Sequence, residues 1–155
     1  MRVLGVDPGT RVLGWGVVER KGSVLRAVAF GVLRARAADP VPERLLVLHE
    51  GLTELIARHR PDRVALEEAF IGKGGRAALA LGEGRGTAML AVARAGIELL
   101  QFPPATVKKA VTGRGAAAKE QVGAMVRVLL GLKEIPKPPD AADALAVAIC
   151  ALHRS

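Results

Sequence analysis

Val3-Leu4-Gly5-Val6-Asp7-Pro8-Gly9-Thr10 opens the chain, and Val12-Leu13-Gly14-Trp15-Gly16-Val17-Val18 follows it. Val3 to Val6 is a short apolar run, which predicts a buried strand ending at Asp7. Asp7-Pro8-Gly9-Thr10 has the composition of a turn. Val12 to Val18 reads as a second strand. Arg20-Lys21-Gly22-Ser23 reads as a hairpin turn, and Val24 to Leu33 alternates as a third strand. Three strands met in succession predict an antiparallel meander at the start of the sheet.

Working outward from that stretch, Pro42 opens a helix to about Arg60, with Leu45, Leu48, Leu52, Leu55 and Ile56 at helical spacing. Pro61-Asp62 ends it, and Arg63 to Leu66 is a short strand running into Glu67-Glu68. Gly72 to Gly75 reads as a loop, 76–95 as an alanine-rich helix, and Ile97 to Gln101 as another strand. A brief helix from Pro103-Pro104 to Val111, a helix from Ala117 to Leu130 and a closing helix from Asp140 to about His153 complete the chain. The order βββαβαβααα predicts the α/β class: one domain over residues 1–155, with a mixed five-stranded sheet flanked by helices.

Half of the 155 residues are hydrophobic, enough for a real core without disulfides. The single cysteine, Cys150, sits in an apolar run and reads as a buried, inert thiol. No apolar run reaches the roughly 18 residues a membrane span needs, and the N-terminus lacks a secretory pattern, so a cytoplasmic protein without a membrane partner is expected. The net charge is +8. Residues 101–155 carry eight Lys/Arg against four Asp/Glu, whereas residues 1–100 carry fifteen against eleven, so the excess is denser in the last third. Such a balance points to a polyanionic partner, nucleic acid first, although a generically basic protein would show it too.

Four acidic residues stand at informative places. Asp7 ends the first strand, Glu67 ends the fourth, and Asp140 and Asp143 lie three apart at the start of the last helix, on one face. If the first and fourth strands are neighbours and the last helix crosses them, four carboxylates meet. They repel one another unless cations are present, and magnesium suits carboxylates plus phosphate. Two such ions roughly 4 Å apart support in-line phosphoryl transfer. His49, His59 and His153 are scattered and show no metal spacing. Each carboxylate also has an ordinary reading. Asp7 before Pro-Gly can anchor a turn, Asp140 after Pro138-Pro139 can be an N-cap, Asp143 can favour the helix dipole, and Glu67-Glu68 can be a solvated pair. The conjunction carries the argument, not any one residue.

These residues also carry a resemblance. Leu4-Gly5-Val6-Asp7-Pro8-Gly9-Thr10-Arg11 with Gly14-Trp15-Gly16-Val17, then Val64-Ala65-Leu66-Glu67-Glu68-Ala69-Phe70, then Asp140-Ala141-Ala142-Asp143-Ala144-Leu145-Ala146 resemble the motifs of RuvC-type Holliday junction resolvases. Val107-Lys108-Lys109-Ala110-Val111 and Ala118-Lys119-Glu120-Gln121-Val122 resemble further segments of that family. The likeness runs in order over nearly the whole chain.

The resemblance implies the RNase H-like fold and a homodimer that binds a four-way DNA junction. It implies two symmetric nicks, each leaving a 5′-phosphate and a 3′-hydroxyl, and cooperation with the RuvA–RuvB branch-migration machinery. It implies Asp7, Glu67, Asp140 and Asp143 as ligands of two Mg2+ ions, with Mn2+ as a substitute. Lys108 and Lys119 match basic positions of the family, where a lysine offsets charge at the scissile phosphate or holds the strand. Without the resemblance they read as solvated helix lysines. Phe70 matches an aromatic that inserts against junction bases, the alternative being a core phenylalanine. Lys73, Arg76, Lys109 and Arg114 are candidate DNA contacts of the positioning kind. Helix 76–95 is a candidate for dimer contacts, with core packing as the alternative. Glu68 stands where many relatives carry glutamine, so a fifth carboxylate either joins the others and alters metal affinity or points away.

The nearest rival is a related RNase H-like nuclease acting on ribosomal RNA precursors. The lysines of the third quarter and the closing Asp-Ala-Ala-Asp favour the resolvase. An actin-like ATP-binding protein needs two such domains and more than 155 residues. A catalytically dead junction-binding module is disfavoured by the complete carboxylate set.

Overall fold

The computed structural model describes residues 1–68 and 74–155. The elements run β1 (Arg2–Asp7), β2 (Val12–Lys21), β3 (Val24–Arg34), α1 (Val41–His59), β4 (Arg63–Glu67), α2 (Gly75–Ala95), β5 (Glu98–Phe102), α3 (Pro104–Thr112), α4 (Lys119–Leu129) and α5 (Pro139–His153). This is the order predicted from sequence. The sheet order is β3-β2-β1-β4-β5, antiparallel through β3, β2 and β1 and parallel from β1 through β4 to β5. The mixed sheet with flanking helices is the RNase H-like arrangement.

Three local details differ from the sequence reading. Arg20 and Lys21 belong to β2, with Lys21 opposite Val24, so the hairpin turns on Gly22-Ser23 alone. Gly22, at φ 60°, supplies the left-handed conformation that a two-residue turn needs. Helix α4 starts at Lys119 rather than Ala117. Ala118 is still extended, and the Gln121 side chain turns back to accept its N–H at 2.9 Å. Helix α5 is preceded by Pro138 as its N-cap, with Pro139 as its first residue. Asp140 therefore lies inside the first turn, and its reading as an N-cap is incorrect.

Side-chain alternation along the strands divides the core in two. Leu4 and Val6 of β1 and Val64 and Leu66 of β4 pack with Leu48, Leu52, Ile56, Ala88, Ala91 and Val92 of α1 and α2. Val3 of β1, Val18 of β2 and Ala65 of β4 face the other side, onto α5. Helix α5 is buried on every side from Ala144 to Leu152. It lies between the sheet and an outer layer of α3 and α4, which explains why its sequence has no polar face. Cys150 is buried there, and burial pushes its thiol up to about 11, in keeping with an inert residue. Among the described residues no helix is long and apolar enough to cross a membrane.

Candidate active site

The same alternation aims the first two carboxylates. Asp7 shares a face with Val3 and Gly5, and Glu67 shares a face with Ala65, so both turn towards α5. The parallel register sets Val6 beside Leu66, which brings Asp7 and Glu67 together at the carboxyl ends of adjacent strands. Helix α5 brings the other two. Its N-terminal turns cross β1 and β2 at closest range because the strands carry glycine beneath it. A Cβ on Gly5 would lie 2.9 Å from the carbonyl carbon of Ala144, and one on Gly16 would lie 2.6 Å from Cγ of Leu145. Asp140 and Asp143 on that helix therefore reach the strand ends.

The electrostatics record the convergence. Burial pushes Asp7 up to about 7, and the neighbouring charges of Asp143, Asp140 and Glu67 and a hydrogen bond with Asp140 act in the same direction. Glu67 is also raised, first by burial and then by Asp143, while Lys108, Lys119 and Arg85 pull it back. Lys119 Nζ lies 3.2 Å from Asp143 Oδ2, and this pairing raises the lysine above its ordinary value. A lysine at the first residue of a helix is opposed by the helix dipole, so the acidic cluster is what favours Lys119 in that place.

A cleft of about 290 Å³ opens beside Glu67 and Asp143. Helix α3 contributes Pro104, Val107 and Lys108, α4 contributes Lys119 and Val122, and α5 contributes Asp143 and Ala146. Each helix presents one ridge of residues three or four apart, so the cleft has apolar walls with cationic and anionic groups between them. Among the described residues, no three His, Cys, Asp or Glu side chains close into a cage around one point. The donor set still fits a hard divalent ion. All the donors it offers are carboxylate oxygens, and magnesium is ordinarily held by one or two carboxylates, with water and substrate phosphate completing its shell.

The structure separates the other candidates. Lys108 is half-buried and, with Lys119, lines the cleft. Lys109 is exposed and does not line it. Arg114 stands in the α3–α4 turn, beside a separate depression with Thr112, Gln121 and Met125. Arg76 is exposed in the first turn of α2. Glu68 is exposed, and its main-chain N–H donates to the carbonyl of Phe102 at 2.7 Å. Phe70 and Lys73 lie outside the described residues.

Sequence reasoning missed Arg85. From the third turn of α2, its guanidinium donates to the main-chain carbonyl of Glu67 and to Oε1 of Gln101 on β5. It ties the end of β4 to the next strand and the helix behind it. Its neighbour Gly84 lets α2 approach the turn after β1, since a Cβ there would lie 2.9 Å from the carbonyl carbon of Gly9. The signal was present in Gly84-Arg85-Gly86, because glycine inside a helix costs about 1 kcal/mol relative to alanine and calls for a reason.

With this geometry in view, comparison with known proteins is specific. Residues 3–151 match the family model for crossover junction endodeoxyribonuclease RuvC. The chain is 55% identical over 150 residues to the RuvC of Chloroflexus aggregans, covering 97% of this chain and 92% of that one. Thermus thermophilus RuvC, solved in complex with a Holliday junction substrate, superposes with a TM-score of 0.94 at 39% identity, covering 99% of this chain and 94% of that one. The yeast mitochondrial Holliday junction resolvase Ydc2 shares the fold, with a TM-score of 0.69 at 16% identity, over 97% of this chain and 77% of that one. A match of this extent places the chain in the RuvC family of crossover junction endodeoxyribonucleases.

Proposed function

We propose that this chain resolves four-way DNA junctions by paired, symmetric nicks, with Asp7, Glu67, Asp140 and Asp143 holding two Mg2+ ions at the scissile phosphate. The observation that carries the proposal is the convergence of these carboxylates, from β1, β4 and α5, on one another, with Glu67 and Asp143 opening onto a cleft lined by Lys108 and Lys119. Carboxylates from distant parts of a chain gain nothing by meeting in a half-buried place unless cations join them.

The ions, when bound, stabilise charge on the attacking and leaving oxygens of an in-line displacement. The chain's own residues do the rest. The carboxylates fix the ion positions, and Lys108 and Lys119 offset charge on the phosphate and hold the strand. The apolar walls of Val107, Val122 and Ala146 exclude bulk water and strengthen those charges. Water adds to phosphorus and the bond to the 3′ oxygen breaks, leaving a 5′-phosphate and a 3′-hydroxyl. Mn2+ has similar geometry and substitutes for Mg2+.

Paired nicks require two sites, so the active form is a homodimer. Leu79 and Leu90 of α2 and Leu46 of α1 are 66%, 54% and 56% exposed, and they support this helical face as the place where a second copy docks. Arg76, Lys109 and Arg114 add phosphate contacts away from the cleft, as would Lys73, while Phe70 would stack against an unpaired junction base. The RuvA–RuvB branch-migration complex is the expected partner on the junction, in the cytoplasm.

The test is cleavage of a mobile four-way junction in Mg2+ by the wild type, Asp7→Asn and Asp143→Asn, with structured RNA as the competing substrate. Both variants should lose nicking while retaining junction binding. Full nicking by either one rejects the ligand assignment, and preferential cleavage of the RNA rejects the substrate.

A further inference from the structure

Asp7 is the last residue of β1 to pair with β2, opposite Gly14, and Val12 and Leu13 run past it without a β1 partner. Pairing of β1 with β4 stops one residue earlier, at Val6. The sheet therefore holds Asp7 from its N-terminal side alone. The segment on its other side, Pro8-Gly9-Thr10-Arg11, is poorly able to hold itself. Pro8 has no N–H to donate, and Gly9 has the backbone freedom of a residue without a side chain. Among the described residues, no main-chain hydrogen bond joins one residue of 8–11 to another.

The turn is fixed from outside instead. Gly84 of α2 backs Gly9, and the N–H of Ala35 donates to the carbonyl of Arg11 at 2.8 Å. The third grip is Arg44, the fourth residue of α1, which reaches the turn from the sheet face opposite α5. Its Nη1 donates to the carbonyl of Thr10 at 3.2 Å and to the Thr10 hydroxyl at 3.3 Å, while its Nε donates to the carbonyl of Asp39 at 3.1 Å. Among the described residues it is the one side chain that hydrogen-bonds the turn, and it forms no ion pair. A cation near the start of a helix, without a carboxylate partner, is opposed by the helix dipole. What Arg44 gains there is its planar fork, which joins the turn after β1 to the segment between β3 and α1.

We propose that Arg44 is a positioning residue for the nuclease reaction: by gripping Thr10 from behind the sheet, it holds Asp7 where it meets the other carboxylates around the divalent ions. The proposal rests on the nuclease reading above. Arg44 touches neither DNA nor ion. It acts through three residues of main chain, and the carboxylate at their end hydrogen-bonds Asp140. Groups that orient a ligand from behind are commonly worth roughly 10- to 100-fold in metal affinity or rate.

Arg44→Met tests this. It keeps the aliphatic stem and removes a cation from the end of the helix where the dipole disfavours one, so α1 is retained. Mn2+ binding to the full chain without DNA, read from the paramagnetic resonance of the free ion, should weaken roughly tenfold or more. The Mg2+ concentration for half-maximal nicking should rise by a similar factor. Junction binding and thermal melting in EDTA should stay close to the wild type. Arg44→Lys should recover only part of the ion affinity, since one ammonium cannot serve Thr10 and Asp39 together. Thr10→Val removes the hydroxyl acceptor and leaves the carbonyl, so it should weaken Mn2+ binding by a smaller factor, roughly two- to fivefold. Wild-type Mn2+ binding in both Arg44→Met and Thr10→Val overturns the proposal. So does a melting midpoint in EDTA that falls in step with ion affinity, because Arg44 would then serve the fold alone. A wild type that binds Mn2+ but cuts no junction overturns the nuclease reading instead, and the ion-binding measurement still decides the place of Arg44.

Discussion

Gly14 of β2 lies directly beneath Asp140 of α5: a Cβ added to Gly14 would fall 2.8 Å from Cβ of Asp140 and closer still to its carbonyl. The register places Gly14 opposite Asp7, so one missing side chain admits the helix and lets a carboxylate from α5 meet one from β1. Gly14→Ala should force the start of α5 off the sheet. Overpacking of this kind costs about 1–3 kcal/mol, a fall of roughly 5 °C in unfolding midpoint for a chain of this size. Junction cleavage should fall far more than stability, and calorimetry beside a cleavage assay measures both.

Arg85→Met should lower the nicking rate with little change in junction affinity, because the guanidinium acts on the main chain of Glu67 rather than on DNA. A shift of about 1 Å in a positioned group can cost a hundredfold, so a loss of roughly tenfold to a hundredfold is expected. Single-turnover kinetics with saturating enzyme isolates the step. Arg85→Lys should recover only part of the rate, since an ammonium cannot serve both Glu67 and Gln101 in the same planar fork. An unchanged rate in Arg85→Met would remove Arg85 from any positioning role.

Metal-free protein should lose stability as pH rises from about 4 to about 7. Asp7 has an ordinary value of 3.8 and is raised to about 7 in the fold. Between these values the unfolded chain has released the proton and the folded chain retains it, so each increment of pH favours unfolding; above the folded value the loss is complete. Asp7→Asn should reduce this slope to the part that Glu67 contributes, and raise the unfolding midpoint at pH 8 in EDTA while abolishing nicking. Mg2+ should stabilise the wild type at pH 8 more than the variant. Thermal melts across this pH range, with and without the ion, decide it.

Lys119→Gln removes the 3.2 Å partner of Asp143 and, among the described residues, one of the two cations lining the cleft. Nicking should fall roughly a hundredfold, the scale of a lost charge-stabilising donor. The salt dependence of junction binding should shallow by about one phosphate contact. Lys109→Gln, at an exposed position outside the cleft, should soften the salt dependence while leaving the nicking rate of bound junction intact. If Lys109→Gln instead slowed nicking as severely as Lys119→Gln, the division between cleft and positioning lysines would be wrong.

The legibility of this chain was uneven for physical reasons. Strands and helices could be read because each carries its own period. Leu48, Leu52 and Ile56 repeat as a helix repeats, and Val3 to Val6 is apolar on both faces because helices cover both. The carboxylates could be read as a set because each ends or begins an element. The start of α4 was misplaced because alanine fits an extended residue as readily as a helical one, and only the Gln121 side chain turning back on Ala118 decides it. Arg85 escaped because its partner is a main-chain carbonyl, and carbonyls leave no trace in a sequence.

Sequence by itself determined the element order, the two-faced core and the identity of the acidic residues, since hydrophobic period and turn chemistry are local properties. Only the tertiary structure decided which charges share a space. It set Lys119 against Asp143, brought Lys108 to the cleft while leaving Lys109 and Arg114 outside it, and turned Glu68 to solvent. Those outcomes depend on the depth at which α5 sits on glycines of two strands and on how α3 and α4 lean over it. Close approach of distant backbones is a property of three-dimensional packing, and no window of neighbouring residues contains it.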